Sequence, residues 1–450
     1  MDDSGKRESE GEEEKAPKKK AEGNPWYLLA TLYGVPEPED HELQLKNRLA
    51  WNRYFAANLD EETRKDLIEE RQLFEIELVP FSLEELQEIA TAFAERCKVL
   101  AKELALPSSS ADIDFSNLVF EQDAFFEGYS FSRFSCFRSA VFSGDTSFRG
   151  AAFSVLASFD GAAFFGPAIF DGVFFSARAV ASFHGAAFSG GAAFGDATFS
   201  NDAIFDRAVF SLNAFFKGTA FFDQASFFGA TFSGEADFDG AAFPAGANFN
   251  GTSFCDKASF FGATFSRTAS FSRASLGEKI IFTRFGGTTS FVNAEMNAET
   301  SFQGAIFEKK PPWFFGAKLH QGTVWRDITW PPMPKDKDNA GEFIDAYACL
   351  TLEMDRLKKH DDELDFFALE LQSRRVLLGP LRGLPIALYG LVSDYGRSYA
   401  RPLYALFAVA ALGMLVLLLF GALAPRQSLG LSIANTLNVF GFRKDFFEPG

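Results

Sequence analysis

Between Phe115 and Leu276 a large apolar residue, nearly always phenylalanine, returns at steps that alternate between five and six residues. An alanine or threonine usually stands two places before it. The run Phe205, Phe210, Phe216, Phe221, Phe227, Phe232, Phe238, Phe243, Phe249, Phe254, Phe260 gives the rule: an eleven-residue unit of the form A-x-F-x-G-A-x-F-x-x-x. Helices repeat side-chain direction every 3.6 residues and strands every 2.0, so neither keeps such a set on one face. A solenoid does, because it turns the chain at each repeat and stacks each coil on the last.

If each ring marks one short side, two units close a four-sided coil of 22 residues. The expected core ladder is then four columns: Phe194, Phe216, Phe238, Phe260, Phe282; Phe199, Phe221, Phe243, Phe265; Phe205, Phe227, Phe249, Phe271; and Phe210, Phe232, Phe254, Leu276. Upstream the register runs through Phe115, Phe137, Phe159 and Phe120, Phe142, Phe164. One slip of two residues falls between Phe175 and Phe183, with Ala177 to Val180 expected as a bulging loop. A second break, of four residues, is expected between Phe282 and Phe291, after which Met296, Phe302, Phe307 and Trp313 resume the spacing. Some nine coils at about 4.8 Å each make a rod roughly 40 Å long.

The other repeat positions agree. Four rings per coil fill a narrow interior, so the inward position two before each ring must be small, as at Ala203, Ala208, Ala214, Thr219, Ala225, Ala230 and Ala236. Glycine often follows the ring by two places, as in Phe148-Arg149-Gly150, Phe159-Asp160-Gly161 and Phe183-His184-Gly185, where a tight corner needs positive φ. Of the 57 phenylalanines, 42 lie between Phe115 and Phe307, so the excess belongs to this core and is not a membrane signal.

The pattern over about Asp112 to Phe307 resembles the pentapeptide repeat family in its A-x-F variant, departing from the strict five-residue step. The resemblance implies a right-handed quadrilateral β-helix. A mainly β solenoid is accordingly expected over residues 107–316, and residues 317–338, with Trp325 to Pro334 as a rigid, irregular exit from the last coil, read as an exit segment and linker.

Ahead of the repeats, residues 1–23 are almost all charged or small and are expected to be a disordered tail. Residues 24–106 read as a helical domain with helices at Trp26 to Leu32, Glu42 to Ala57, Glu61 to Arg71 and Leu83 to Leu104. The last opens on Ser82 and Glu85 in capping-box spacing and offers an apolar face of Leu86, Ile89, Phe93, Val99 and Leu100. Such a domain is expected to cover the first coil's open edge.

Residues 339–400 read as a helical juxtamembrane region, with helices at Ala340 to Lys359 and Asp361 to Leu377. From Leu403 to Ala424 no charge interrupts an apolar run, and 22 residues at 1.5 Å each reach about 33 Å, enough for a hydrocarbon core of roughly 30 Å. One transmembrane helix is therefore expected within 401–426, followed by a C-terminal tail over 427–450. Arg374, Arg375, Arg382, Arg397 and Arg401 precede the span while Arg426, Arg443 and Lys444 follow it, which puts the N-terminal rod in the cytoplasm. Leu384 to Tyr395 is short and apolar and is expected along the inner interface. Ser428 to Phe442, apolar at Ile433, Leu437 and Phe440, is expected at the outer interface or re-entering.

The juxtamembrane stretch Ser393 to Ser398 with Arg401-Pro402, and the opening Asn24 to Gly34, resemble bacterial pentapeptide repeat membrane proteins. That resemblance implies the bacterial inner membrane, and the one span makes the chain single-pass. It also implies a further hydrophobic helix, and none occurs before Gly450, so a truncated product is expected.

No reaction chemistry emerges. His41, His184, His320 and His360 share no motif, and neither a phosphate loop nor HExxH occurs. The four cysteines, Cys97, Cys136, Cys255 and Cys349, are far apart, without the spacing of a zinc site or disulfide framework. No catalytic, cofactor or metal residue is proposed, and the chain reads as a non-enzyme. The primary reading is a membrane-anchored scaffold that binds an unidentified protein and is capable of homo-oligomerising. One alternative is a channel or transport subunit, using Asp394, Arg397 and the tail Asn435-Thr436-Leu437-Asn438. The other is a duplex mimic acting on gyrase. A net charge of −17 invites the mimic, but residues 107–310 carry 13 basic groups against 20 acidic ones, unlike a phosphate array, so no nucleic-acid partner is expected. Outward residues such as Arg149, Asp160, Asp171, His184, Asp206, Lys217, Asp239, Asn250 and Lys257 form no single row.

Overall fold

A computed structural model describes residues 18–59, 61, 64–65, 68, 75–272, 274–276, 279–281, 283–420 and 425–436. The chain divides into two compact units, Met1–Pro331 and Pro332–Gly450.

The first unit is a β-solenoid whose two- and three-residue strands pair in parallel 22 residues apart, as Ala203 pairs with Ala225 and Ala225 with Ala247. Its four sides are sheets of nine, ten, eight and eight strands. Ring stacking follows the strand register. Phe115, Phe137, Phe159, Phe183, Phe205, Phe227, Phe249 and Phe271 form the first column, with centroids 4.7–4.9 Å apart. Phe120 to Phe254 stand on the second side, Phe126 to Phe260 on the third and Phe131 to Phe265 on the fourth. That spacing is the inter-strand distance itself, so backbone pairing and ring stacking share one repeat. Rings of the first and third columns alternate edge to face through the axis: Phe194 meets Phe183 at 5.5 Å and 89°, and Phe205 at 5.3 Å and 88°.

Two corner types explain the alternating steps. After a first- or third-column ring the chain makes a tight turn in which the ring residue's carbonyl accepts from the amide three places on, as Ala162 N to Phe159 O at 3.0 Å. The residue two after the ring then has positive φ, 62° at Gly161. That corner spends five residues; the wider corner after a second- or fourth-column ring spends six. At the wider corner glycine answers a steric need instead: a Cβ on Gly190 would stand 2.3 Å from Gly166 O.

The two-residue slip is present, with Ala157 pairing Ala181 across 24 residues and Ala177 and Arg178 in a turn. The second break differs from the expectation. It adds nine residues, because Phe254 stacks on Phe285, Phe260 on Phe291 and Phe271 on Phe302. The extra chain is an antiparallel hairpin of Ala274–Leu276 and Lys279–Ile281, so Leu276 leaves the ladder. Phe282 lies outside the described residues. Downstream, Phe314 and not Trp313 stacks on Phe291, at 4.9 Å. Trp325 and Trp330, read from sequence as part of the exit, stack on Phe302 and Phe307 at 4.9 and 5.4 Å.

The opening coil is closed by helices α1 (Pro25–Ala30), α2 (His41–Phe55) and α3 (Leu83–Val99). Their side chains supply hydrogen bonds that a preceding coil would have made. Asn24 donates to Asp114 O, Trp51 Nε1 to Ser130 O, and Asn52 both donates to Gly128 O and accepts from Ser130 N. Trp51 packs on Phe131 at 5.5 Å and Tyr27 on Phe120 at 5.5 Å, which continues the aromatic core into the cap. Ser82 and Glu85 form the capping box, and α3 buries Ile89, Phe93 and Cys97. Val99 does not join that face; it is 78% exposed. The helix expected at Glu61 to Arg71 falls largely outside the described residues.

Lys19 and Lys20, expected in a disordered tail, form a parallel strand on Leu118 and Val119. Lys20 pairs with Glu121 at 2.9 Å, so charged residues finish that sheet edge.

The second unit contains α4 (Lys337–Arg356), α5 (His360–Arg382), α6 (Leu384–Ser393), α7 (Ala400–Phe420) and α8 (Pro425–Thr436). Asp336 caps α4 by accepting from Asn339 N. Phe343, Tyr347, Leu350 and Met354 of α4 and Phe366 of α5 are buried.

Candidate functional site

Two regions expose groups that the fold does not consume. One is the outside of the solenoid, where several outward charges are spent on neighbouring coils. Asp160, Asp206 and Asp239 each accept from a serine of the next coil, Ser182, Ser226 and Ser259, while Asn250 accepts from Ser270. Lys257 pairs with Glu235 at 2.6 Å, Arg149 with Asp171 at 3.6 Å and Arg284 with Glu308 at 3.2 Å. The interior is filled: Phe194, Phe216, Phe238, Phe260, Phe199, Phe221, Phe243, Phe265, Phe205, Phe227, Phe249, Phe271, Phe210, Phe232 and Phe254 are all buried. His184 is exposed, and His320 Nδ1 accepts from Gly322 N within its own turn. Among the described residues no group of three or more His, Cys, Asp or Glu is placed to hold a metal ion.

The other region is the run from α5 to α8. The 20 residues Ala400–Leu419 are long and apolar enough to cross a membrane, and that stretch is not buried within the protein. An amphipathic helix of a soluble domain would turn one face inward; this one exposes Leu403, Phe407, Leu412 and Leu419 around its circumference. The helix begins three residues before Leu403 and is described to Phe420; residues 421–424 of the expected span lie outside the described residues.

Helix α8 packs along α7 through Ser432, whose hydroxyl donates to Ala410 O. Gly413 makes room for this, since a Cβ there would lie 2.5 Å from Ser432 Oγ. Leu437 and Phe440, expected to continue the apolar pattern, lie outside the described residues, as does Asn438.

Upstream, α5 bends sharply at Gly379, whose φ of 76° and ψ of 179° suit glycine almost alone. Pro380 enforces the bend, lacking an N–H and disfavouring helical backbone in the residue before it. Helix α6 leaves Leu384, Leu388 and Leu391 exposed.

Between α6 and α7, Asp394, Tyr395 and Gly396 take positive φ of 53°, 56° and 92° in succession. Arg397 holds this turn, reaching Asp365 and Asp394 at 3.1 Å each, and Arg401 reaches Asp394 at 3.2 Å. Asp394 and Arg397, considered from sequence as pore-lining groups, are thus paired with each other. Sequence reasoning placed Ser393 to Ser398 beside the span but missed Tyr395; the signal was the Asp-Tyr-Gly triplet, with an aromatic residue inside a turn.

No family model matches the chain, and comparison with curated proteins and with solved structures finds none similar to it. The 22-residue coil and the regular Ala/Phe strand spacing are consistent with the pentapeptide-repeat fold.

Proposed function

We propose that the chain is a non-enzymatic, membrane-anchored pentapeptide-repeat scaffold. Its solenoid lies on the cytoplasmic side of a bacterial inner membrane and engages a protein partner through its outer surface. A solenoid repeat of this kind suits interaction, because it offers a long surface on a filled core. The observation that carries the anchor is α7, whose apolar surface the protein itself leaves uncovered. Basic residues favour the cytoplasmic side for the segment before α7, with Arg374, Arg375, Arg382, Arg397 and Arg401 against Arg426, Arg443 and Lys444 beyond it.

Two tests bear on this. Deleting 403–424 is expected to move the protein from the membrane fraction to the soluble fraction with its solenoid folded; an intact protein found wholly soluble removes the anchor. Exposed Cys255 reports orientation. In intact spheroplasts it is expected to resist a membrane-impermeant maleimide and to react after lysis, and labelling before lysis reverses the topology. The paired outward charges weigh against a duplex mimic, since a phosphate-like surface needs unneutralised anions in a regular row.

A further inference from the structure

We propose that a cleft at the α5 bend binds the phosphate of an anionic phospholipid headgroup, with Arg375 as its cation and Gln372 and Tyr395 as polar neighbours. This inference rests on the membrane reading above. The cleft has a volume of about 440 Å³ and is lined by Met333, Gln372, Arg375, Val376, Gly379, Pro380 and Tyr395.

Three independent features meet there. The first is charge. Arg374 is held by Glu370 at 2.7 Å, and Arg397 and Arg401 by Asp394. Arg375 and Arg382 have no ion-pair partner among the described residues, so the positive charge left over at this end of the unit is theirs. An exposed guanidinium presents its N–H fork to a phosphate oxygen pair, the geometry in which arginine binds most strongly.

The second is strain. Two consecutive non-glycine residues in the left-handed region cost about 1 kcal/mol or more each and persist only where the surroundings over-determine them. Asp394 and Tyr395 are so held, by Arg397 and by Ser393 Oγ accepting from Gly396 N at 3.2 Å. The result turns the Tyr395 ring back onto Gly390, where a Cβ would stand 2.4 Å from Cζ, and brings that residue to the cleft. Asp394 is the left-handed cap of α6, a common way for a helix to end, whereas Tyr395 carries that conformation on into a second non-glycine residue, which a helix ending does not require.

The third is apolar surface. Leu377, Leu378 and Leu381 are exposed beside the cleft, Leu381 at 87%, in the same helix that carries both free arginines. A free phosphate or a soluble phosphometabolite gains nothing from them, whereas a phospholipid places acyl chains next to its headgroup. That favours the lipid as the source of the phosphate.

The test uses the full chain reconstituted in phosphatidylcholine vesicles with or without phosphatidylglycerol, extracted and examined by native mass spectrometry for retained lipid. Wild type is expected to retain phosphatidylglycerol selectively. Arg375→Gln is expected to insert normally but retain it about tenfold less. Tyr395→Phe, which keeps the ring on Gly390, should show a smaller loss. Arg426→Gln, on the far side of the span, should match wild type. Equal retention by wild type and Arg375→Gln overturns the site while leaving the anchor intact. Displacement of phosphatidylglycerol by an equal concentration of glycerol 1-phosphate overturns the lipid assignment. Vesicle flotation separates these outcomes from failure of the membrane reading: if wild type does not float with either vesicle, the anchor falls and the site with it.

Discussion

Phe216 lies parallel to Phe194, centroids 4.9 Å apart and planes at 0°, and stands at right angles to Phe205 at 5.4 Å. Each ring is thus a stacking partner along its column and an edge or face for the column opposite. Phe216→Ala therefore removes buried area and several aromatic contacts together. We expect a loss of about 3–5 kcal/mol. Phe216→Leu should cost less, because it leaves a smaller cavity. Solenoid coils report mainly on their neighbours, so hydrogen exchange should accelerate most in the strands near 192–240 and little near 115.

The two corner types separate two reasons for glycine. Gly172 has φ of 62° and open space around its missing Cβ, so Gly172→Ala should cost only about 1 kcal/mol of backbone strain. At Gly190 the added Cβ collides with Gly166 O, part of the backbone stack, so Gly190→Ala should lower the melting temperature more than Gly172→Ala does. Equal melting temperatures would refute the distinction.

The cap depends on a buried carboxylate. Glu77 is 1% exposed, with Arg48 at 2.9 Å on one oxygen and Asn52 at 2.9 Å on the other. Asn52 is the residue that completes the hydrogen bonds of Gly128 and Ser130. Arg48→Met leaves the charge buried and half-partnered, and is expected to destabilise by about 3–5 kcal/mol. Arg48→Met combined with Glu77→Gln should recover part of that loss. Denaturant unfolding of the three variants tests the coupling.

One acidic pair on the third side is expected to weaken the fold at neutral pH. Burial raises the Asp237 carboxyl above its ordinary value, and neighbouring Asp239 adds to this. A carboxylate raised in the folded state favours its protonated form there, so stability declines as pH rises from the ordinary aspartate value through the folded one. Asp237→Asn keeps the Oδ1 acceptor for Asp239 N and removes the charge; Asn248 already does this for Asn250 N half a coil on. After allowance for solvent, a gain of roughly 0.5 kcal/mol is expected at pH 7, vanishing near pH 3. A gain that persists undiminished in acid would exclude an electrostatic cause.

The repeat made the solenoid legible because its cause is local: small residue, ring and corner recur every 22 residues, and only stacked coils satisfy them all. The capping box at Ser82 and Glu85 and the apolar run of α7 were legible for the same reason, each being read within a few turns of chain. What escaped depended on partners distant in sequence. Leu276 keeps the apolar spacing, yet it belongs to a hairpin, since pairing of Phe254 with Phe285 is decided by strand stacking. Trp313 and Phe314 are adjacent, and only the register above Phe291 selects the inward ring. Lys19 and Lys20 looked like a solvated charge run until a sheet edge supplied their backbone partners. Tyr395 reaches the α5 cleft through backbone signs that no composition encodes. The period, the filled core and the apolar helix follow from residue order alone. Tertiary structure decided where the period breaks, what closes its first edge and which arginines have no ion-pair partner among the described residues, because those depend on groups brought together across the fold.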